Sequence, residues 1–182
     1  ELNALLGIAS VTSDNLAAVM AAIAATDNSG SGIATESALE GVIATATSGF
    51  ATALDVIQTY AQDNSGTAPV AADFAALAVT LTPPTGMNSA DLLASLNTVL
   101  ASTAVTDAAV QTAADVQTLV NRWQAVLSGA DGLNNNNVSL STADYAGLGI
   151  TVGSGALALT NDVVDQAALS AVGTQAELAA LA

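Results

Sequence analysis

The stretch Ala72-Asp73-Phe74-Ala75-Ala76-Leu77-Ala78-Val79 returns as Ala143-Asp144-Tyr145-Ala146-Gly147-Leu148-Gly149-Ile150, 71 residues further along the chain. An equal step back from Val79 reaches Ile8, at the end of Glu1-Leu2-Asn3-Ala4-Leu5-Leu6-Gly7-Ile8. Leu6, Leu77 and Leu148 then share one register, and Ile8, Val79 and Ile150 share another. Similarity at a fixed period marks a tandem array, in which each unit leans on its neighbour. The anchors divide the chain into three units, 1–62, 63–132 and 133–182, the first and last of them truncated.

Around each anchor the apolar pattern is helical. In the first unit, residues 1–8 carry Leu2, Leu5 and Leu6, and Leu16, Val19, Met20 and Ile23 follow at the spacing of one helix face. A break at 27–32, rich in Asn, Ser and Gly, precedes Thr35, which can cap a long helix through Leu39, Val42, Ile43, Phe50, Leu54 and Ile57. In the second unit Pro69 suits the first turn of the short helix, and Asn88 or Ser89 caps a helix with Leu92, Leu96, Val99 and Leu100. Residues 101–111 read as a looser stretch, and Thr112 opens the next helix, with Val116, Leu119, Val120, Trp123 and Leu127 on one stripe. The third unit has a short helix at Tyr145 and Leu148 after an Asn-rich linker at 134–137. Thr160 is positioned to cap a helix reaching Ala171, and Gly173-Thr174 starts a last one with Leu178 and Leu181. The fold expected is all-α, a row of tandem three-helix-bundle repeats of about 70 residues. The alternative is one continuous helical domain of nine or so helices.

Composition narrows the function. One Lys or Arg stands against 16 Asp or Glu, a formal charge of −15, and there is no His or Cys. Nucleic acid needs phosphate-neutralising cations, and Arg122 is the only one, so nucleic acid is excluded as a partner. An anionic membrane surface repels such a chain. The longest apolar run, residues 16–25, is well short of the roughly 20 residues that span a bilayer, so no membrane insertion is expected. General acid–base catalysis lacks His, and nucleophilic catalysis lacks Cys, His or a Lys base. Nor does any Gly-rich loop end in Lys to cradle phosphate. Neither an enzyme nor a small-molecule substrate is expected, and no cofactor is required.

One loop carries metal-like chemistry. Asp27-Asn28-Ser29-Gly30-Ser31-Gly32 places oxygen side chains at positions 1, 3 and 5 of a calcium-type loop, with Gly at position 6. Position 12 is Ala38 where that pattern needs a bidentate Glu. Asp63, in Asp63-Asn64-Ser65-Gly66, begins a weaker version. The candidate calcium set is therefore Asp27, Ser29, Ser31 and Asp63, and against it stands the reading of these segments as polar turns between helices. Trp123 and Met20 read as core. Phe74 and Tyr145 share a packing position, with the Tyr hydroxyl reaching a polar edge. Asp73 and Asp144 fall in the first turn of their short helices, where a carboxylate favours the helix dipole.

The segments Ala143-Asp144-Tyr145-Ala146-Gly147-Leu148-Gly149-Ile150-Thr151, Ser13-Asp14-Asn15-Leu16-Ala17-Ala18-Val19 and Ala114-Asp115-Val116-Gln117-Thr118-Leu119-Val120 resemble α-helical repeats of very large secreted bacterial surface adhesins. The segment Tyr60-Ala61-Gln62-Asp63-Asn64-Ser65-Gly66-Thr67-Ala68-Pro69 fits the same pattern. Those repeats are similar in outline to three-helix GA-like modules and occur in calcium-rich, exported proteins. The resemblance covers nearly the whole chain and implies an extracellular or cell-surface location, with a role as spacer, adhesin segment or filament subunit. The albumin-contact surface of GA modules is not recognisable, so no binding residues follow. Half-helices at both ends lead to the expectation that copies associate head to tail through terminal helices, and a first residue other than Met fits a processed or excised piece. The competing expectation is a three-helix module that presents a helix face to a host or matrix protein.

Overall fold

The computed structural model describes residues 10–182 apart from 28, 64, 65 and 136. The helix expected over residues 1–8 lies outside the described residues. Those described form eight α-helices and three single 3-10 turns, with no strand among them. In order they are α1 (Leu16–Ala24), a turn at Ser31–Ile33, α2 (Glu36–Asp63), α3 (Ala71–Ala76), α4 (Ser89–Leu100), a turn at Asp107–Ala109, α5 (Ala113–Gly129), α6 (Thr142–Gly147), α7 (Leu157–Gln166), a turn at Leu169–Ala171, and α8 (Gln175–Leu181). The protein is all-α. No helix among the described residues is long and apolar enough to cross a membrane.

Helix starts follow local chemistry. At α5, Thr112 Oγ1 accepts from Asp115 N–H and Asp115 Oδ2 accepts from Thr112 N–H, a reciprocal box that satisfies two otherwise orphaned donors. The same box opens α6 at Ser141 and Asp144, and α8 at Thr174 and Glu177. Asn88 caps α4 by accepting from Asp91 N–H. At α3 only half the box exists. Asp73 accepts from Val70 N–H, but the valine side chain has no oxygen to return the bond.

The two short helices also end alike. Ala78 N–H reaches Ala75 O and Val79 N–H reaches Phe74 O, while Gly149 N–H reaches Ala146 O and Ile150 N–H reaches Tyr145 O. This is the Schellman closure, which needs a left-handed residue one place past the cap. Gly149 adopts it at φ +77°, and Ala78 at φ +56° is the single non-glycine residue with positive φ among those described.

Buried side chains form one continuous core from Ala18 to Leu178, in which Trp123, Tyr145 and Phe74 are the largest members. The stripes expected on α4 and α5 are buried throughout. Helix α2 lies against α1, α3, α4 and the Asp107–Ala109 turn, and α5 lies against α6 and α7. Beyond α3 the chain runs beside α5, where Gln117 accepts from Thr80 N–H at 2.7 Å and Gln124, two turns on, accepts from Thr82 N–H.

Four local expectations are corrected. Pro69 precedes the cap of α3 and is not in its first turn. Residues 101–111 are anchored by buried Val105 and Val110 and contain a 3-10 turn, so they are not loose. Helix α7 begins at Leu157, three residues before Thr160, which is buried inside it, and it stops at Gln166 instead of reaching Ala171. Leu16 and Met20 are 46% and 54% exposed, and α1 turns Ala18 and Val19 inward instead.

Candidate functional site

The Asp27 loop is a compact polar turn. One carboxylate oxygen of Asp27 accepts from the N–H and hydroxyl of Ser29, and the other accepts from the Ser31 hydroxyl at 2.5 Å. Gly30 turns the chain back at φ +73°, and its N–H bonds Asp27 O. The hydroxyls of Ser29, then Ser31, stabilise the ionised carboxylate and hold the Asp27 pKa at about 2. Three of the four candidate ligands therefore share one turn, bonded to one another. The fourth, Asp63, heads the separate, weaker loop at 63–66, of which residues 64 and 65 lie outside the described residues. Asp63 is the last residue of α2, and the 28 residues of that helix separate it from the Asp27 end by about 42 Å at 1.5 Å per residue. Among the described residues no group of three His, Cys, Asp or Glu gathers as a metal site.

Two polar arrangements escape sequence reading. Trp123 is fully buried, and its indole N–H donates to Ser95 Oγ at 2.9 Å. Ser95 in turn donates to Gly173 O at 2.5 Å, so one hydroxyl ties α5, α4 and the approach to α8 together. Gln175 N–H donates to Thr98 Oγ1 at the same junction. No spacing rule connects a serine in one helix with a tryptophan 28 residues away, although Trp in a core implies some acceptor for its N–H.

The second arrangement is at Asp165, which is 1% exposed. Its two carboxylate oxygens accept from Asn135 N–H and Asn137 N–H, both at 2.9 Å. Asp131 gathers the side-chain amides of the same two asparagines, at 2.9 and 3.1 Å. Ala167 O accepts from Gly132 N–H at 3.0 Å. The Asn-rich connection is thus laced to the end of α7. Gly129 permits the close approach, since a Cβ there would lie 2.2 Å from Val138 Cγ2.

Arg122 pairs with Asp144 at 3.1 Å, joining α5 to α6. Ser141, through its hydroxyl and then its N–H, does most to lower the Asp144 pKa, with Arg122 adding to it. The Tyr145 hydroxyl donates to Asn161 at 2.9 Å, the polar edge expected for it, and burial pushes its pKa up to about 12. An open groove of about 650 Å³ between α4 and residues 168–174 contains Asp91 as its one titratable side chain, and Asp91 receives the Asn88 amide at 2.6 Å. No family model, curated protein or solved structure matches this chain.

Proposed function

We propose that the chain is a non-enzymatic structural protein of the extracellular or cell-surface space, either a repeat segment of a bacterial adhesin or a subunit of an extracellular filament or layer. Its units are three-helix bundles of about 70 residues, bounded at 1–62, 63–132 and 133–182. The observation that carries this reading is a recurrence. Short helix, helix, 3-10 turn and helix occur as α3, α4, Asp107–Ala109 and α5, and again as α6, α7, Leu169–Ala171 and α8. The order of α1, Ser31–Ile33 and α2 agrees with the last three of these. Caps agree at matching points: Asp73 with Asp144, Thr112 and Asp115 with Thr174 and Glu177, and left-handed Ala78 with Gly149.

One packing also recurs: the long helix lies against the short helix that follows it, α2 against α3 and α5 against α6. A contact of this kind is heterologous and can propagate, which supports head-to-tail association of copies. The chemistry agrees with a structural role, since the chain has no His or Cys and one cation. Calcium in this reading screens a charge of −15, and the Asp27 turn is a weak point of contact for it. Light scattering on the purified chain, with calcium and with a chelator, tests assembly. Polymers that fall apart on chelation support the filament or layer reading. A monomer in both conditions removes self-assembly and leaves the adhesin segment. The second reading, a binding module, draws on Leu16 and Met20, exposed together on α1; saturable capture of one matrix protein, lost in Met20→Asp, would favour it.

A further inference from the structure

The lacing at Asp165 has the form of a conditional joint. We infer that Asp165 is an acid-released clasp, which holds the connection between α5 and α6 against α7 when ionised and releases it when protonated. An ionised carboxylate offers only acceptors, and here each oxygen meets a backbone donor, Asn135 N–H or Asn137 N–H. Protonation turns one oxygen into a hydroxyl, a donor and a far weaker acceptor facing an N–H, so one of these bonds is weakened at a site 1% exposed.

The charges around it leave no substitute. On α7 itself Asp162 lines the same small cavity as Asp165. From the connection Asp131 holds the side-chain amides of Asn135 and Asn137. The end of α5, residues 127–130, has no titratable side chain. On α6, Asp144 is engaged by Ser141 and by Arg122, the chain's only Lys or Arg. On α8, Glu177 is engaged by Thr174. Among the described residues the clasp works through backbone N–H groups, and Arg122, the one Lys or Arg, is held by Asp144. Release frees the connection locally, because the Trp123–Ser95–Gly173 chain and the core stripe of α5 contain no titrating group at neutral or acid pH.

Hydrogen exchange of the full chain, followed by NMR at the Asn135 and Asn137 amides, tests this. Asp165→Asn mimics the protonated side chain while every other carboxylate stays intact. At neutral pH that variant should lose about tenfold or more of the protection at these two amides, the equivalent of one charge-assisted bond, while Val120 in α5 keeps its protection. Wild type on acidification should lose the same two protections, and the variant should show no further change at them. Unchanged protection in the variant overturns the inference, as does an acid-induced loss equally large in variant and wild type. Should the variant fail to fold, the wild-type acid titration decides. Loss confined to Asn135, Asn137 and their neighbours sustains the clasp, whereas simultaneous loss at Val120 refutes local release.

Discussion

Replacing Ala78 by glycine should stabilise the protein, against the usual direction of an Ala→Gly change. Ala78 stands one place past the cap of α3 at φ +56°, in the conformation its counterpart Gly149 adopts at φ +77°. For an L-residue with a Cβ, the left-handed region costs about 1–2 kcal/mol. Glycine removes that cost and gives back roughly 0.5–1 kcal/mol through the greater freedom of the unfolded chain. Ala78 is exposed, so its methyl takes little packing with it. The net expectation is a gain of about 0.5–1 kcal/mol, read as a higher urea midpoint at unchanged slope and a melting temperature raised by about 1–4 °C. The reciprocal change, Gly149→Ala, adds a clash to the strain, because its Cβ would lie 2.6 Å from Ala104 Cβ. Strain and overpacking together predict a loss of about 2–4 kcal/mol. If Ala78→Gly were neutral or destabilising while Gly149→Ala did little, the two residues would not be closing their helices in the left-handed form, and the equivalence of α3 and α6 would lose its main support.

Ser95→Ala leaves the Trp123 N–H and the Gly173 carbonyl without their partner in the interior, so denaturant unfolding should show a loss of about 1–3 kcal/mol, with a change in Trp fluorescence. Gly49→Ala in α2 should raise stability by up to about 1 kcal/mol, because nothing lies within 4 Å of the added Cβ; a loss instead would mean another chain covers that face in solution. Tyr145 has a raised folded pKa, so its contribution is complete below about pH 10 and disappears as the pH climbs towards about 12. Phenolate absorbance should then rise together with loss of helical circular dichroism, and Tyr145→Phe should remove that alkaline step.

Much of the helical order is legible in sequence because its signals are local. Thr112 with Asp115, Ser141 with Asp144 and Thr174 with Glu177 announce helix starts within four residues, and the stripe from Val116 to Leu127 announces its buried face. What escapes is decided at a distance. Helix α1 is apolar on every side, so its period selects no face, and packing on α2 turns Val19 in and leaves Leu16 and Met20 out. The alanines after Gln166 favour more helix, but Ala167 turns to an extended conformation and gives its carbonyl to Gly132; a tertiary bond outweighs propensity there. Asp165 stands between Val164 and Gln166, and nothing near it in sequence names its backbone donors 28 and 30 residues away. For the candidate calcium residues, chain order places Asp27, Ser29 and Ser31 in one turn and Asp63 in another, and the unbroken length of α2 sets the distance between the two.

If residues 63–132 are one interchangeable unit in a row, as proposed, the row should accept another copy. The most direct measurement is a thermal melt, by circular dichroism, of a chain in which a second copy of 63–132 is inserted between residues 132 and 133. A tandem array gains one more unit and one more nearest-neighbour contact, so the longer chain should keep its helical signal per residue and melt cooperatively at or above the parent's temperature. A fall in helical signal per residue, or loss of the cooperative transition, would instead make the chain a single helical domain whose resemblance between segments is local.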